Sequence, residues 1–575
     1  MSRIARDLAI SLHDTVIDVE SQKRTDNNQG TMQRLPCGKL PRVAVIGAGV
    51  SGLRCADVLT RAGTHVTIFE ARNRIGGRVH QVENGGYLVD AGSNWIHGTI
   101  GNPIMELAKK TKTAVLEPVE RSMIFNTEGT AKSEADSGVL SEEFWATILQ
   151  AFKHSDKNSS SIDSKTSLFD WLKSQWSERY SDNPTHVHDL LEESRNWGKF
   201  VGSPVTRQSL KYFWLEEGLD GENVFVASTY RKILEEIAGP ALAKAEIKLN
   251  TEVHHIAYRT SDDNSLVSVH TSDGVSHSFD EVVVTCPLGW LKQHAQTMFS
   301  PALPGRLTKA IHSIGYGALE KLYVTFPSAF WLNDNDTKSF PCFIDFHTPI
   351  YHPDPASKDS ETWNQSVVAL SHLPGPCAQP TLLFYMHGDC GAYLTNKASR
   401  LELHSEVYNA VLKDFAEPFY SRLPNYSSES PFCKPTSFYI TKWQTDPHAG
   451  HGSYSTFRTG LDHGDKDIEV MRHSGGLGDG GRGLWLAGEH TAPFVVLGTT
   501  TGAYRSGEGV ARRIAKRYDL NIDEDNLGAT LVEVESTAPG TSSQLKQKNA
   551  EKSMNGAAVH QERSSEKEAT RHRAS

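Results

Sequence analysis

Six residues near the front of the chain, Gly47-Ala48-Gly49-Val50-Ser51-Gly52, have the spacing GxGxxG. The three glycines have separate physical jobs. The first permits a tight turn after a strand. The second lets the backbone approach a pyrophosphate. The third allows close helix–strand packing, while the helix start, with Ser51 in it, stabilises the anion. Glu70 follows at the distance of about 20 residues that places an acid beside a ribose. Its carboxylate can accept from the ribose hydroxyls, and it disfavours a 2′-phosphate. The implied chemistry is dinucleotide binding; a structural glycine turn in an unrelated α/β unit is the alternative. The pattern continues as Ala71-Arg72-Asn73-Arg74-Ile75-Gly76-Gly77-Arg78. A nicotinamide site does not require this second glycine pair and arginine. They suit a longer cofactor, with backbone and Arg78 near the pyrophosphate, or else form a surface turn with solvated arginines.

These groups need a strand, a turn and a helix to position them. The sequence predicts a buried parallel strand at Val43–Ile46, a helix over Ser51–Arg61 that stops near Gly63, and a strand at His65–Phe69. Residues 137–240 read as helical. The segment from Glu246 to Pro287 reads as strands, with turns at Asp262–Asn264 and Ser272–Gly274. Residues 317–390 are strand-rich, with a polar, proline-containing insertion around 350–376. Late in the chain a buried strand at Leu484–Ala487 precedes Thr499-Thr500-Thr501-Gly502, which opens a last helix expected over Gly502–Tyr518. Residues 1–40 read as a flexible polar tail, and 535–575 as too poor in apolar residues to order.

A chain of 575 residues suggests two linked domains. With 38% hydrophobic and 22% charged residues it has enough apolar material for an ordinary core. The net charge of -10 argues against a nucleic-acid surface. Seven scattered cysteines without a CxxC fit neither a disulfide framework nor a metal site, so no metal is expected. No secretory signal, membrane-length apolar run or C-terminal peroxisomal address is read, which makes a cytoplasmic location the expectation.

EARNRIGGR, VDAGSNWIHGTIGNP and AGEHT with GTTTGAYRSG together resemble the flavin monoamine oxidase superfamily, and within it polyamine (spermine) oxidases and the lysine-specific histone demethylases. The resemblance covers roughly residues 41–115, 225–325 and 435–515. It implies an α/β chain: a Rossmann-like FAD-binding domain of the amine oxidase type (41–100, 225–290 and 435–520) interleaved with an α+β substrate domain of mixed sheet plus helices (101–224 and 291–434). It implies FAD, held by Gly47, Gly49, Ser51, Gly52, Glu70, Ala71, Arg72, Gly77 and Arg78 at the nucleotide end. Val253 would offer its backbone to the adenine. Gly92, Ser93, Asn94 and Trp95 would run along the flavin, and Gly488, Glu489, Thr500, Thr501 and Trp443 would complete the cradle. The last helix would direct its positive end at flavin N1 and O2.

Four residues are implied next to the reacting atoms. Lys321, in Gly317-Ala318-Leu319-Glu320-Lys321, would hold a water near flavin N5 and assist oxygen; a solvated strand lysine is the alternative. Tyr454 would stand upright before the flavin, with Trp443 as its partner in an aromatic wall, unless both are core aromatics. His97 would hydrogen-bond the substrate, unless the backbone satisfies it. Thr499 opens the last helix. The implied reaction is hydride transfer from the carbon beside a small-molecule amine to the flavin, imine hydrolysis, and reoxidation by O2 to H2O2. No nucleic-acid or membrane partner is expected. Glu216, Glu217, Asp220 and Glu222 could line an entrance for a polycation, or form a solvated acidic turn.

Three departures from the superfamily pattern matter. Thr501 replaces the demethylases' histidine, Ser453 replaces the cysteine of covalently flavinylated relatives and so implies non-covalent FAD, and Thr229-Tyr230 replaces glycine-tyrosine. Competing readings are an oxidase of a specialised metabolite or amino acid, a histone-demethylase-like chromatin protein, and an inactive flavin scaffold. No arginine in the matched motifs would serve an amino acid's carboxylate, and no heptad pattern marks a helical hairpin.

Overall fold

The structure is a computed structural model, and it describes residues 40–117, 122–260, 265–332, 340–349 and 363–522. The tail up to residue 39, the turn at 262–264, the first half of the 350–376 insertion and the segment 535–575 lie outside the described residues.

Arg42–Ile46 is the central strand of a five-stranded parallel sheet. The order is Leu484–Leu486, Glu281–Val284, Arg42–Ile46, His65–Phe69, Glu246–Lys248. Strands covered on both faces read as continuous apolar runs, as Val-Ala-Val-Ile and Val-Val-Val do here. Side chains alternate between faces. Val43, Val45 and Val283 therefore pack with the helices Val50–Arg61, Arg231–Lys244 and Thr500–Arg517. Ala44, Ile46, Val282 and Val284 face the opposite core, which includes Val253, Ile256 and Val269 of the four-stranded sheet Ser276–Phe279, Val267–Thr271, Val253–Ala257, Phe299–Ser300.

The first helix begins at Val50 with Gly49 as its N-cap, one residue earlier than expected. The last helix spans Thr500–Arg517 and starts two residues earlier than expected, because the Thr499 hydroxyl accepts from the Gly502 amide and caps it. The two helices meet closely where Gly507 lies on Ser51: a Cβ at 507 would fall 2.1 Å from the Ser51 carbonyl oxygen. Buried Arg54 ties them together, bonding Glu508 across the contact and Asp57 on its own helix, both at 2.7 Å.

The second large sheet has six strands in the order Ser437–Ile440, Glu320–Thr325, Thr381–Met386, Gln365–Ala369, Phe343–Phe346, Ser122–Phe125. All neighbours are antiparallel except the last pair. Residues 437–440, grouped by the sequence with the FAD-binding segments, are thus an edge strand of this sheet, in register through Leu322↔Ile440. Leu322, Val324, Leu382 and Phe384 point to an outer core beneath the helices Gly388–Ala398 and Glu406–Tyr420. Tyr323, Leu383 and Tyr385 point inward, where they meet Val89, Trp95 and Phe225. Helices Glu134–Asn158, Leu168–Arg179 and Pro184–Arg195 share a further core. Among the described residues, no helix is long and apolar enough to cross a membrane.

Candidate active site

The glycine turn and the acid at the end of the second strand are locked together. Glu70 Oε2 accepts from the Ala48 amide at 2.7 Å and Oε1 from the Arg72 amide at 2.9 Å. The Gly76 amide donates to the Ala48 carbonyl at 2.8 Å, and a Cβ at Gly77 would lie 3.5 Å from the Cα of Gly49. The backbone of 248–251 closes this end: the amides of Asn250 and Thr251 donate to the carbonyls of Arg72 and Glu70, and Val253 opens the next strand. Arg72 bonds Asp446 at 2.7 Å.

Arg78 reaches Glu489 at 3.0 Å, the Ser453 carbonyl at 2.5 Å and the Tyr316 hydroxyl at 3.3 Å. Burial works to raise the Glu489 carboxyl; Arg78, His490 and the Ser455 hydroxyl outweigh it and hold Glu489 below its ordinary range. Gly488 adopts φ +147°, and its amide donates to the Ser506 hydroxyl at 2.9 Å. The start of the last helix meets the Gly92–Trp95 segment directly. The Thr500 hydroxyl donates to Ser93 Oγ at 2.8 Å, and Thr501 bonds Asn102 at 2.9 Å. The Thr499 hydroxyl caps the helix and donates to the Val496 carbonyl at 2.7 Å. Thr499→Ala is expected to cost about 1 kcal/mol of stability, the usual loss of such a cap. A thermal-unfolding midpoint equal to that of the unmodified protein would contradict it.

Lys321 is buried in the strand Glu320–Thr325, not solvated. Its ammonium donates to the carbonyls of Gly92 and, at 3.3 Å, Asp90. Burial pulls its pKa well down, and Asp90 opposes that pull. Tyr385, its cross-strand partner, accepts from Asn94 at 2.9 Å and from Trp95 Nε1 at 3.0 Å. Trp443 is buried and donates to the Ala91 carbonyl at 3.0 Å. Tyr454 donates to the Phe200 carbonyl at 2.8 Å. His97 is half-buried; burial depresses its pKa against a hydrogen bond to the Asn223 side chain. Its ring is therefore neutral at physiological pH.

The profile described as "Flavin containing amine oxidoreductase" matches residues 50–515. The chain belongs to this family. FAD is the family's cofactor, and the chain is an amine-oxidising flavoenzyme. It is 25% identical over 505 residues to Polyamine oxidase 4 of Oryza sativa subsp. japonica, covering 84% of this chain and 90% of that one. It is 26% identical to the Peroxisomal N(1)-acetyl-spermine/spermidine oxidase of Bos taurus, covering 84% and 96%. It is also 26% identical to Lysine-specific histone demethylase 2 of Homo sapiens, covering 82% of this chain but 53% of that protein. The solved structure of wild-type putrescine oxidase bound to putrescine superposes with TM-score 0.58 at 17% identity, over 83% of this chain and 99% of that one, so the two share the α/β fold.

The residues present fit the family's cofactor. Among the described residues, Ser51 Oγ is buried at the helix start without a hydrogen-bond partner, and nothing lies within 4 Å of where a Cβ on Gly49 would sit. A buried hydroxyl without a partner calls for one, and a phosphate oxygen supplies it. Glu70, Arg78 and Glu489 would hold the nucleotide part, and the Gly92–Trp95 and Thr499–Thr501 segments the flavin part. The family's Gly-Tyr becomes Thr229-Tyr230 here, yet Thr229 keeps φ +66°, a conformation natural to glycine.

The sequence reading passed over Asp90 and Tyr385. The Asp90 carboxylate accepts from the Tyr230 amide at 3.1 Å and from Gln81 at 2.7 Å, and burial raises its pKa to about 7 against the pull of Lys321. An acid closing an apolar strand in LVDAG was the available signal. Tyr385 gave none, because a tyrosine in Leu-Leu-Phe-Tyr-Met reads as core. The acidic turn separates: Asp220 is exposed, whereas Glu216 is turned inward with its carboxyl beside Tyr454, Thr456 and Gln208.

Proposed function

We propose that the protein is a polyamine-type oxidase. Bound FAD would supply the hydride acceptor and pass the electrons to O2, giving H2O2. The protein's own residues bind the amine, exclude water and hold charge. In this reading the segments around the five-stranded sheet form a Rossmann-like FAD-binding domain, and the six-stranded sheet with its helices forms the substrate domain. Ser453 stands where covalent attachment would need cysteine, so the FAD is non-covalent. Tyr454 and Trp443 wall the amine in, Lys321 presents a cation to oxygen, and neutral His97 offers a hydrogen bond to the substrate.

One observation carries the substrate class: the inward carboxyl of Glu216 beside Tyr454. A half-buried acid there attracts a substrate with more than one ammonium and penalises a carboxylate-bearing one. Burial pushes the Glu216 pKa up to about 7. The carboxyl is therefore neutral below that pH and becomes charged above it, so its attraction for a cation grows as pH rises from 6 to 8. Glu216→Gln is expected to raise KM for polyamines about tenfold at pH 8, the scale of one charged hydrogen bond, and less at pH 6. A wild-type to variant ratio of kcat/KM that stays flat with pH would remove Glu216 from recognition. The reading as a whole is tested by purifying the protein, releasing its yellow cofactor with acid, and screening amines for peroxide. Turnover of another amine, with none of any polyamine, overturns it.

A further inference from the structure

One row of polar side chains crosses the inner face of the six-stranded sheet. Lys321 pairs with Tyr385, Tyr385 with Ser366, and Ser366 with Asp345. Cross-strand partners share a face, and neighbouring strands lie about 4.8 Å apart, so Asp345 sits roughly 14 Å along the sheet from Lys321. All four residues are buried. The next positions on the same face, His387 and Asn364, are polar as well.

This half of the sheet is roofed by residues 193–200. Glu193 bonds His347 at 3.2 Å, and Asn196 bonds Asn364. Gly198 lies flat on the His387 ring, where a Cβ would fall 2.0 Å from Nε2. The Lys199 ammonium reaches Asp345 at 3.1 Å and Ser366 at 2.7 Å, and sits 5.5 Å from the centre of the Phe200 ring. Ser366 Oγ also donates to Asp345. The Phe200 carbonyl accepts from Tyr454, which ties the roof to the aromatic wall.

A carboxylate, a hydroxyl and an aromatic face around an alkylammonium are the groups that recognise a primary amine. A second observation points to a ligand here. Among the described residues, both ring nitrogens of His387, which is only 2% exposed, and Asn364 Oδ1 lack hydrogen-bond partners. Buried polar atoms left unpaired mark a place that water or a polar ligand fills.

We propose that Asp345, Ser366 and Phe200 form the subsite for the remote ammonium of the substrate, and that Lys199, by occupying it with an ammonium of its own, sets the preference among amine tails. At roughly 14 Å along the sheet from Lys321, the subsite lies beyond the reach of a short diamine and within reach of a long-chain triamine, the kind the test uses. This rests on the polyamine reading given above.

The test is the holoenzyme assayed with a monoamine, a diamine and a triamine. Lys199→Met frees Asp345. The ratio of triamine to monoamine KM should fall about tenfold, with kcat for the triamine changing little. Lys199→Arg keeps the cation and should behave as wild type. Lys199→Met/Asp345→Asn removes both charges and should return the ratio toward wild type; it also serves if Lys199→Met alone folds poorly. Equal KM changes for all three amines in Lys199→Met, or a rise confined to the triamine, overturn the subsite while leaving the polyamine reading intact. A wild-type enzyme that oxidises the monoamine and neither polyamine overturns both.

Discussion

Replacing Lys321 by methionine is expected to slow oxygen consumption by the reduced enzyme about 100-fold, the usual effect of removing one pre-placed electrostatic partner from a dry site. The lysine is withdrawn from water, and the Asp90 and Gly92 carbonyls aim its ammonium. Negative charge develops as dioxygen accepts electrons. Burial pulls the lysine pKa down to about 7, so the cation is present at and below neutral pH, and held in low dielectric it stabilises that charge far more than one in water. Methionine fills a similar volume without the charge, so packing changes little. Rapid mixing of amine-reduced enzyme with oxygen measures the step in isolation, and the amine-dependent half of the cycle should change much less. An oxygen rate equal to wild type would leave Lys321 with no part in the chemistry.

Gly507→Ala is expected to destabilise the protein by about 3 kcal/mol or more and to strip it of FAD during purification. The new methyl would meet Ser51 backbone, with the carbonyl oxygen at 2.1 Å and its carbon at 2.9 Å, and backbone cannot rotate aside as a long side chain can. The last helix must then back away from the one that begins at the glycine turn, spreading the two ends of the cradle. Gly509 provides an internal control, because nothing lies within 4 Å of a Cβ there. Gly509→Ala should be neutral or gain up to about 1 kcal/mol from helix propensity. Melting temperature and the ratio of flavin to protein absorbance read both variants. Wild-type values for Gly507→Ala would mean that the helices need not touch.

The parts of the fold that sequence conveyed were those fixed by local rules. Strand, glycine turn and helix over residues 42–61 follow from an apolar run and three glycines, and their ends fall within a residue of expectation. The edge strand at Ser437–Ile440 obeys no such rule. Which sheet it joins is decided by pairing with Glu320–Thr325 more than a hundred residues away. The site divides in the same way. The placement of Glu70 against the glycine turn was legible because spacing along one βαβ unit dictates it. Tyr385, Asp345 and Lys199 were not, because each looks like an ordinary core or surface residue until three strands and a roof bring them together. Lys321 was legible only through resemblance, and its burial depends on the distant Asp90–Gly92 turn.

The central sheet takes its five strands from positions 42–46, 65–69, 246–248, 281–284 and 484–486. A nascent chain emerging from the ribosome therefore carries the edge of Glu281–Val284, apolar and unpaired, through the synthesis of about two hundred further residues. Only when the piece near 485 arrives does that edge close, and the helix that follows lays the second wall of the cradle at almost the same moment. A chain cut short between residues 284 and 484 keeps that edge open and is expected to be a sticky remnant fit for chaperones or proteolysis.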